Sequence, residues 1–271
     1  MSNAISRVKA NSAYSENSYL GLAVAAIVLI SWWTSLLATL LVDTAKIPVL
    51  IIAAVMLVRA FLHTGLFITA HDAMHGTVFH QNRRINDWVG YSTSLTYAFL
   101  NYKNLLKKHY LHHRSPASKD DPDFCEGKGM FIWYLTFMKG YLSGPECLMM
   151  LVGVNLTFCV LTLIFHIQPI NLLLFWLLPI VLSSLQMFYF GIYLPHRRPR
   201  EGYTNRHRAD SSRYSPFWSF VSCYHFGYHW EHHEYPHIPW YQLPSARRSL
   251  KVGLSRLHVP RTVAAQRLYS P

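Results

Sequence analysis

The chain has 271 residues, of which 51% are hydrophobic, 15% aromatic and only 14% charged. That composition is unusual for a soluble protein. The net charge of +12 would suit a nucleic-acid binder, but its distribution along the chain follows membrane topology instead.

The first 18 residues are polar, with Arg7 and Lys9, and lead into an apolar run over 19–42. That run is too long for the h-region of a cleavable signal peptide, so none is expected and the run reads as a membrane span. A second run covers 47–70, and a second pair covers 147–167 and 171–194. Each approaches or exceeds the roughly 20 residues needed to cross a hydrocarbon core. The linker 43–46 contains only Lys46 as a basic residue and the linker 168–170 contains none, whereas 71–146 carries nine Lys or Arg and 195–271 carries twelve. Excess positive charge marks the cytoplasmic side, so the N-terminus and both long hydrophilic segments are expected there. The four cysteines, Cys125, Cys147, Cys159 and Cys223, form no CxxC pair; this fits a reducing compartment and excludes a thiolate metal site.

Within the second span, Arg59, His63, Phe67, His71 and His75 recur every four residues and form a slowly drifting stripe. Ionisable groups are costly inside a bilayer and usually face a bundle interior, so Arg59 and His63 are assigned to a buried polar network. Residues 88–102 and 130–142 are apolar and aromatic but too short to span, and read as interfacial or re-entrant helices. They would either wall an apolar tunnel or pack a cap onto the membrane. Residues 196–214, rich in Arg, Pro, Ser and Asn, read as a loop. A helix is expected over 216–233, ended by Pro236 and Pro239. Near the C-terminus Leu250, Leu254 and Leu257 share a face with Arg247, Arg248, Lys251 and Arg256 nearby, as in an interfacial or a solvated helix.

Eight histidines stand in three clusters: His71 and His75 in HDAMH, His109, His112 and His113 in HYLHH, and His229, His232 and His233 in HWEHH. Residues three and four apart share a helical face, so each cluster presents its imidazoles together. A tetrahedral site takes four ligands and an octahedral one six, so eight convergent imidazoles imply two metal ions. An all-nitrogen set suits iron, zinc, copper or nickel alike. The isolated His80, His207 and His258 read as ordinary structural or solvated histidines. All three clusters fall in the hydrophilic segments or at their membrane edge, which places the metals against the cytoplasmic face. The fold expected is therefore an all-α integral membrane protein, a single domain over 1–271. Four transmembrane helices would carry a cytoplasmic helical cap, residues 71–146 and 195–271, holding a histidine-rich dimetal site.

The order and spacing of these strings among four spans resemble the membrane fatty acid desaturase and hydroxylase superfamily, over nearly the whole chain. The resemblance implies a non-haem di-iron centre that activates O2. It also implies a ninth ligand after the last span, where His196 stands in YLPHR. His225, four residues before His229, would be a tenth ligand or would orient one. Asp72, Asp120, Asp121, Asp123 and Glu231 accompany the clusters and would accept the outer N–H of ligating imidazoles, or be solvated charges.

Within the superfamily HDAMHGTVF, YLPHRRP and CYHFGYHWEHHEYPHIPWYQLP look most like bacterial or cyanobacterial β-carotene ketolases, with Tyr241 where a second aromatic, often Trp, is expected. This implies oxidation of the C4 methylene of a β-ionone ring to a ketone, giving echinenone and then canthaxanthin from β-carotene. A carotenoid hydroxylase or acyl-lipid desaturase of the same fold is the alternative. A histidine-lined metal transporter would need ionisable residues spread through several spans. No GxGxxG, flavin or haem-attachment motif occurs, so electrons must come from a partner, for which the family suggests reduced ferredoxin. Lys103, Lys107, Lys108 and Arg114 would offer an acidic carrier a basic patch. The expected partners are a carotenoid, membrane lipid and that donor, with no nucleic acid.

Overall fold

The computed structural model describes residues 18–256. Four helices are long and apolar enough to cross a membrane: α1, Ser18–Leu40; α2, Val49–Met74; α6, Gly144–Leu163; and α7, Pro169–His196. They match the four expected spans to within a few residues. Between and after them lie α3, Arg83–Ala98; α4, Tyr102–Arg114; α5, Met130–Tyr141; α8, Pro216–Cys223; α9, His229–Glu234; and α10, Leu243–Arg256. No strand occurs among the described residues.

The 26 residues of α2 extend roughly 39 Å at 1.5 Å per residue, about 9 Å more than a hydrocarbon core. HDAMH lies at the C-terminal end of this helix, in its last turn. A tight turn sets the first hairpin: Asp43 caps the short helix Thr44–Lys46 by accepting from Ala45 N at 3.2 Å, and Pro48 stands immediately before α2. The last span alternates α-helix with π-helical segments at Leu173–Leu177 and Phe188–Tyr193. The cause is legible, because Pro179 and Pro195 lack the N–H that the preceding turn needs, and the ladder shifts to a wider pitch there.

Helices α1, α2, α3 and α7 share a core that includes Trp32, Leu66, Tyr97 and Trp176. The third span, α6, has no buried residue and exposes Leu148, Leu151, Leu156 and Leu163, as suits a helix solvated by lipid. Arg59 and His63 are buried as expected. Arg59 donates to the Phe175 carbonyl at 3.0 Å, the Trp32 carbonyl at 2.7 Å and Ser35 Oγ at 2.7 Å, and Trp32 Nε1 donates to His63 Nδ1 at 3.0 Å. These fixed bonds tie three spans together.

Helices α3 and α5 turn aromatic and aliphatic faces outward, with Trp88 71% and Phe131 70% exposed, as interfacial helices do. Their inner faces are packed: Trp133 of α5 sits against Phe188 and Ile192 of the last span. Asn82 caps α3, and Asn86 fastens that helix to the end of α2 by donating to the Ala73 carbonyl at 2.7 Å.

The expected helix over 216–233 is two helices. Tyr224 and His225 both adopt left-handed backbone, with φ of 46° and 62°, and end α8 before α9 begins. Glycine and asparagine favour that conformation, so neither residue signals the break in sequence. The C-terminal helix, α10, is neither purely interfacial nor solvated at its start, because Arg247 is buried against Glu231. Arg7, Lys9, Leu257 and His258 lie outside the described residues.

Candidate metal centre

Four separate elements bring the histidines together. The end of α2 supplies His71 and His75, α4 supplies His109, His112 and His113, the end of α7 supplies His196, and α9 supplies His229, His232 and His233. They assemble into two groups, His71, His75, His109, His113 and His232 in one and His112, His196, His229 and His233 in the other. Within each group the donor atoms all lie within 4.8 Å of one another. All nine residues that the sequence and the resemblance singled out are in one group or the other.

The nitrogen positions show what the groups are shaped to hold. His232 Nε2 lies 3.1 Å from His71 Nε2 and 2.9 Å from His113 Nε2, and His233 Nε2 lies 3.1 Å from both His112 Nε2 and His229 Nε2. An imidazole nitrogen has a single in-plane direction, carrying either a proton or a lone pair, so it cannot hydrogen-bond to two neighbours at once. The contacts fit lone pairs converging on a common point. At metal–nitrogen bonds of 2.0–2.1 Å, nitrogens around one ion stand about 2.9–3.4 Å apart. The observed separations fit that arrangement.

Electrostatics agree. Burial, reinforced by neighbouring imidazoles, holds His109, His229, His232 and His233 well below the usual histidine range, and burial takes His75 down to about 3. Neutral imidazole is the form that ligates. His112 differs: burial pulls it down, but the hydrogen bond and charge of Asp121 outweigh that and raise it, while Asp121 itself, despite burial, is held low by His112.

Two histidines of the second group have their outer nitrogen fixed. His112 Nδ1–H donates to the Asp121 carboxylate at 3.0 Å, and His196 Nδ1–H donates to the Arg208 carbonyl at 3.0 Å. Each bond leaves Nε2 bare and facing the group. The His196 Nε2 atom is buried with no hydrogen-bond partner, as expected of a metal donor. Asp121 is in turn held by Ala117 N at 2.8 Å and Asp123 N at 2.9 Å. Asp123 accepts from Tyr141 OH at 2.6 Å, and burial raises its carboxyl to about 6.

The family model for fatty acid desaturase matches residues 45–152 and 144–264, nearly all of the described chain. The chain belongs to the fatty acid desaturase family. Its curated relatives include a zeaxanthin 4-ketolase of Chlamydomonas reinhardtii, 41% identical over 203 residues, which are 73% of this chain and 44% of the relative. A β-carotene 4-ketolase of Haematococcus lacustris is 41% identical over 210 residues, 75% of this chain and 64% of the relative. A β-carotene ketolase of Paracoccus sp. strain PC1 is 36% identical over 235 residues, 86% and 94% respectively. The chain thus spans about half to two thirds of these algal relatives and nearly all of the bacterial one. No solved structure matches it.

Other residues of this desaturase-family chain sit differently from expectation. His225 belongs to neither histidine group; the break at Tyr224–His225 turns it away to stack on Tyr228 near Trp240. Asp120 is exposed and contacts no histidine, because the turn that buries Asp121 directs its neighbour outward. Asp72 approaches His71 Nδ1 only to 3.6 Å and instead accepts from Trp240 N at 3.1 Å, anchoring the loop before α10. Glu231 does not face an imidazole. It pairs with Arg247 at 2.8 Å and accepts from Ser211 Oγ, clamping α9 to α10. The basic patch on α4 is also divided, since Lys108 donates to the Gly140 carbonyl and lies over the Tyr141 ring.

Sequence reasoning missed four contributors. The Arg208 carbonyl carries no signal because it is backbone. Ser211 and Arg247 are distant in sequence from the residue they hold. Phe226 packs its ring against His71, His229 and His232, at the seam between the two groups, where Gly191 of the last span leaves room for it.

Proposed function

We propose that the chain is an O2-dependent di-iron ketolase that oxidises the C4 methylene of β-ionone rings, converting β-carotene to echinenone and then canthaxanthin. The observation that carries the reading is the pair of convergent histidine groups, five and four imidazoles, in a chain similar to β-carotene ketolases over most of its length. An all-nitrogen donor set is compatible with iron, and the family supplies the choice of iron over zinc or copper. His71, His75, His109, His113 and His232 would hold one ion, and His112, His196, His229 and His233 the other. Bound iron would supply the O2 activation that an unactivated C–H bond requires.

The chain's own residues do the rest. Asp121 and the Arg208 carbonyl keep the Nδ1 protons of His112 and His196 in place, so Nε2 stays available as a donor. Phe226, with Ile68 and Met187, forms an apolar wall against the histidines; it keeps water from the reacting carbon and suits a hydrocarbon ring. Each hydroxylation consumes one O2, two electrons and two protons and releases one water. Two at the same carbon give a geminal diol, which loses water to leave the ketone. Positive charge concentrated in 71–146 and 195–271 supports placing the metal centre and both termini on the cytoplasmic side. A soluble reduced carrier such as ferredoxin could reach it there.

The test uses the full chain in lipid vesicles containing β-carotene, with reduced ferredoxin and O2. The 4-keto product should form only with O2 present, and not in a His232→Ala variant. Ketone formed without O2, or equally well by that variant, would refute the proposal; a ring hydroxyl with no ketone would favour a hydroxylase.

A further inference from the structure

A cleft of about 700 Å³ opens beside the second histidine group, lined in part by Ala117, Lys119, Glu126, Arg198, Tyr203 and Arg208. Three of these are cations and one is a carboxylate. Lys119 and Arg208 are exposed, and Arg198, 65% exposed at its side chain, reaches Glu126 at 3.3 Å.

The wall of this cleft is bonded directly to the groups that orient the histidines. Arg208 Nη1 donates to the Ala117 carbonyl at 3.0 Å, closing the wall. From Arg208, one hydrogen bond through its carbonyl reaches His196. From Ala117, a 2.8 Å bond from its N–H reaches Asp121, whose carboxylate holds His112. No comparable route leads from the exposed Lys103 and Lys107, which lie on the first turns of α4, to any histidine nitrogen in the bonds described. Ala117 and Arg208 also both adopt left-handed backbone, with φ of 48° and 45°. Two non-glycine residues held so at one wall are an arrangement that surrounding structure must enforce, and it is found most often where a site needs fixed geometry.

The proposed reaction needs two electrons per O2, and the sequence has no nucleotide, flavin or haem motif to supply them. We infer that this cleft is where an acidic one-electron carrier protein docks, delivering electrons through the Arg208 carbonyl and Ala117–Asp121 bridges to the group of His112, His196, His229 and His233. The inference rests on the ketolase reading for its need of a donor. A protein rather than a small anion is favoured because the cations sit around an open cleft and on its rim, where they steer encounter, and because a one-electron carrier must come close to the histidines and leave again.

The experiment measures binding of a reduced plant-type [2Fe–2S] ferredoxin to the full iron-loaded chain in nanodiscs, at two or more salt concentrations. The double variant K119E/R198E should weaken the Kd about tenfold or more and flatten its salt dependence, with iron content unchanged. The control K103E/K107E should bind like wild type. The inference is overturned if wild type does not bind the ferredoxin, if K119E/R198E binds as wild type does, or if K103E/K107E weakens binding equally. If K119E/R198E alone loses binding while wild type makes no ketone, the docking site stands and the ketolase reading falls.

Discussion

Replacing Asp121 with asparagine tests whether the second histidine group is held by one carboxylate. The residue is 5% exposed and accepts at once from His112 Nδ1, Ala117 N and Asp123 N. An amide of the same shape offers one acceptor oxygen where three donors converge, and its NH2 meets at least one of them donor to donor. The least costly response is for His112 to move its proton from Nδ1 to Nε2, which removes the lone pair the metal needs. Changes to such orienting groups cost about 10- to 100-fold in metal affinity, or about 1.4–2.7 kcal/mol. The loss should be confined to one ion, because Asp121 touches no histidine of the first group. Metal analysis of purified D121N should give about one iron per chain rather than about two, with chelator release of the weaker ion at least tenfold faster. D120N, altering the exposed neighbour, should match wild type. Full iron content with wild-type release kinetics in D121N would refute the reasoning.

Three further outcomes are expected. Removing Arg247 strands a buried Glu231 carboxylate, so R247A should lose about 3–5 kcal/mol of stability, read as a lower Tm, and E231Q/R247M should recover much of it. A Cβ on Gly191 would lie 2.7 Å from Phe226 Cδ1, so G191A should cost about 1–3 kcal/mol by overpacking and lower ketone yield while iron content holds. H225N should keep the full iron content, because asparagine tolerates left-handed backbone and His225 lies outside both groups. Burial holds His225 at about 4, below its value of about 6.5 in an unfolded chain. Between those pH values the unfolded chain binds more protons, so stability falls on acidification; H225N should make Tm less steep with pH there, and an unchanged slope would count against the burial argument.

The spans were legible because length and hydropathy alone set them, and eight of the histidines because helical spacing survives in one dimension; His196 followed only from the family resemblance. The helix break at Tyr224–His225 was not, since neither residue type prefers the backbone it adopts. It is imposed by rings inserted between spans: a Cβ at Gly65 would meet Tyr224 OH at 2.6 Å, and Gly191 stands against Phe226. The orienting partners divide the same way. Asp121 stood out as a carboxylate beside a cluster, while its exposed neighbour Asp120 looked equally eligible, and the Arg208 carbonyl has no side-chain signature. Glu231 was placed by sequence beside its histidines, yet its helical position turns it to the opposite face, toward Ser211 and Arg247.

The most direct measurement is pigment analysis of a β-carotene-producing host that expresses the full chain. The account predicts echinenone and canthaxanthin in place of β-carotene, with none in the same host carrying His112→Ala at equal protein level. Unchanged β-carotene with folded, iron-loaded protein in the membrane would contradict it.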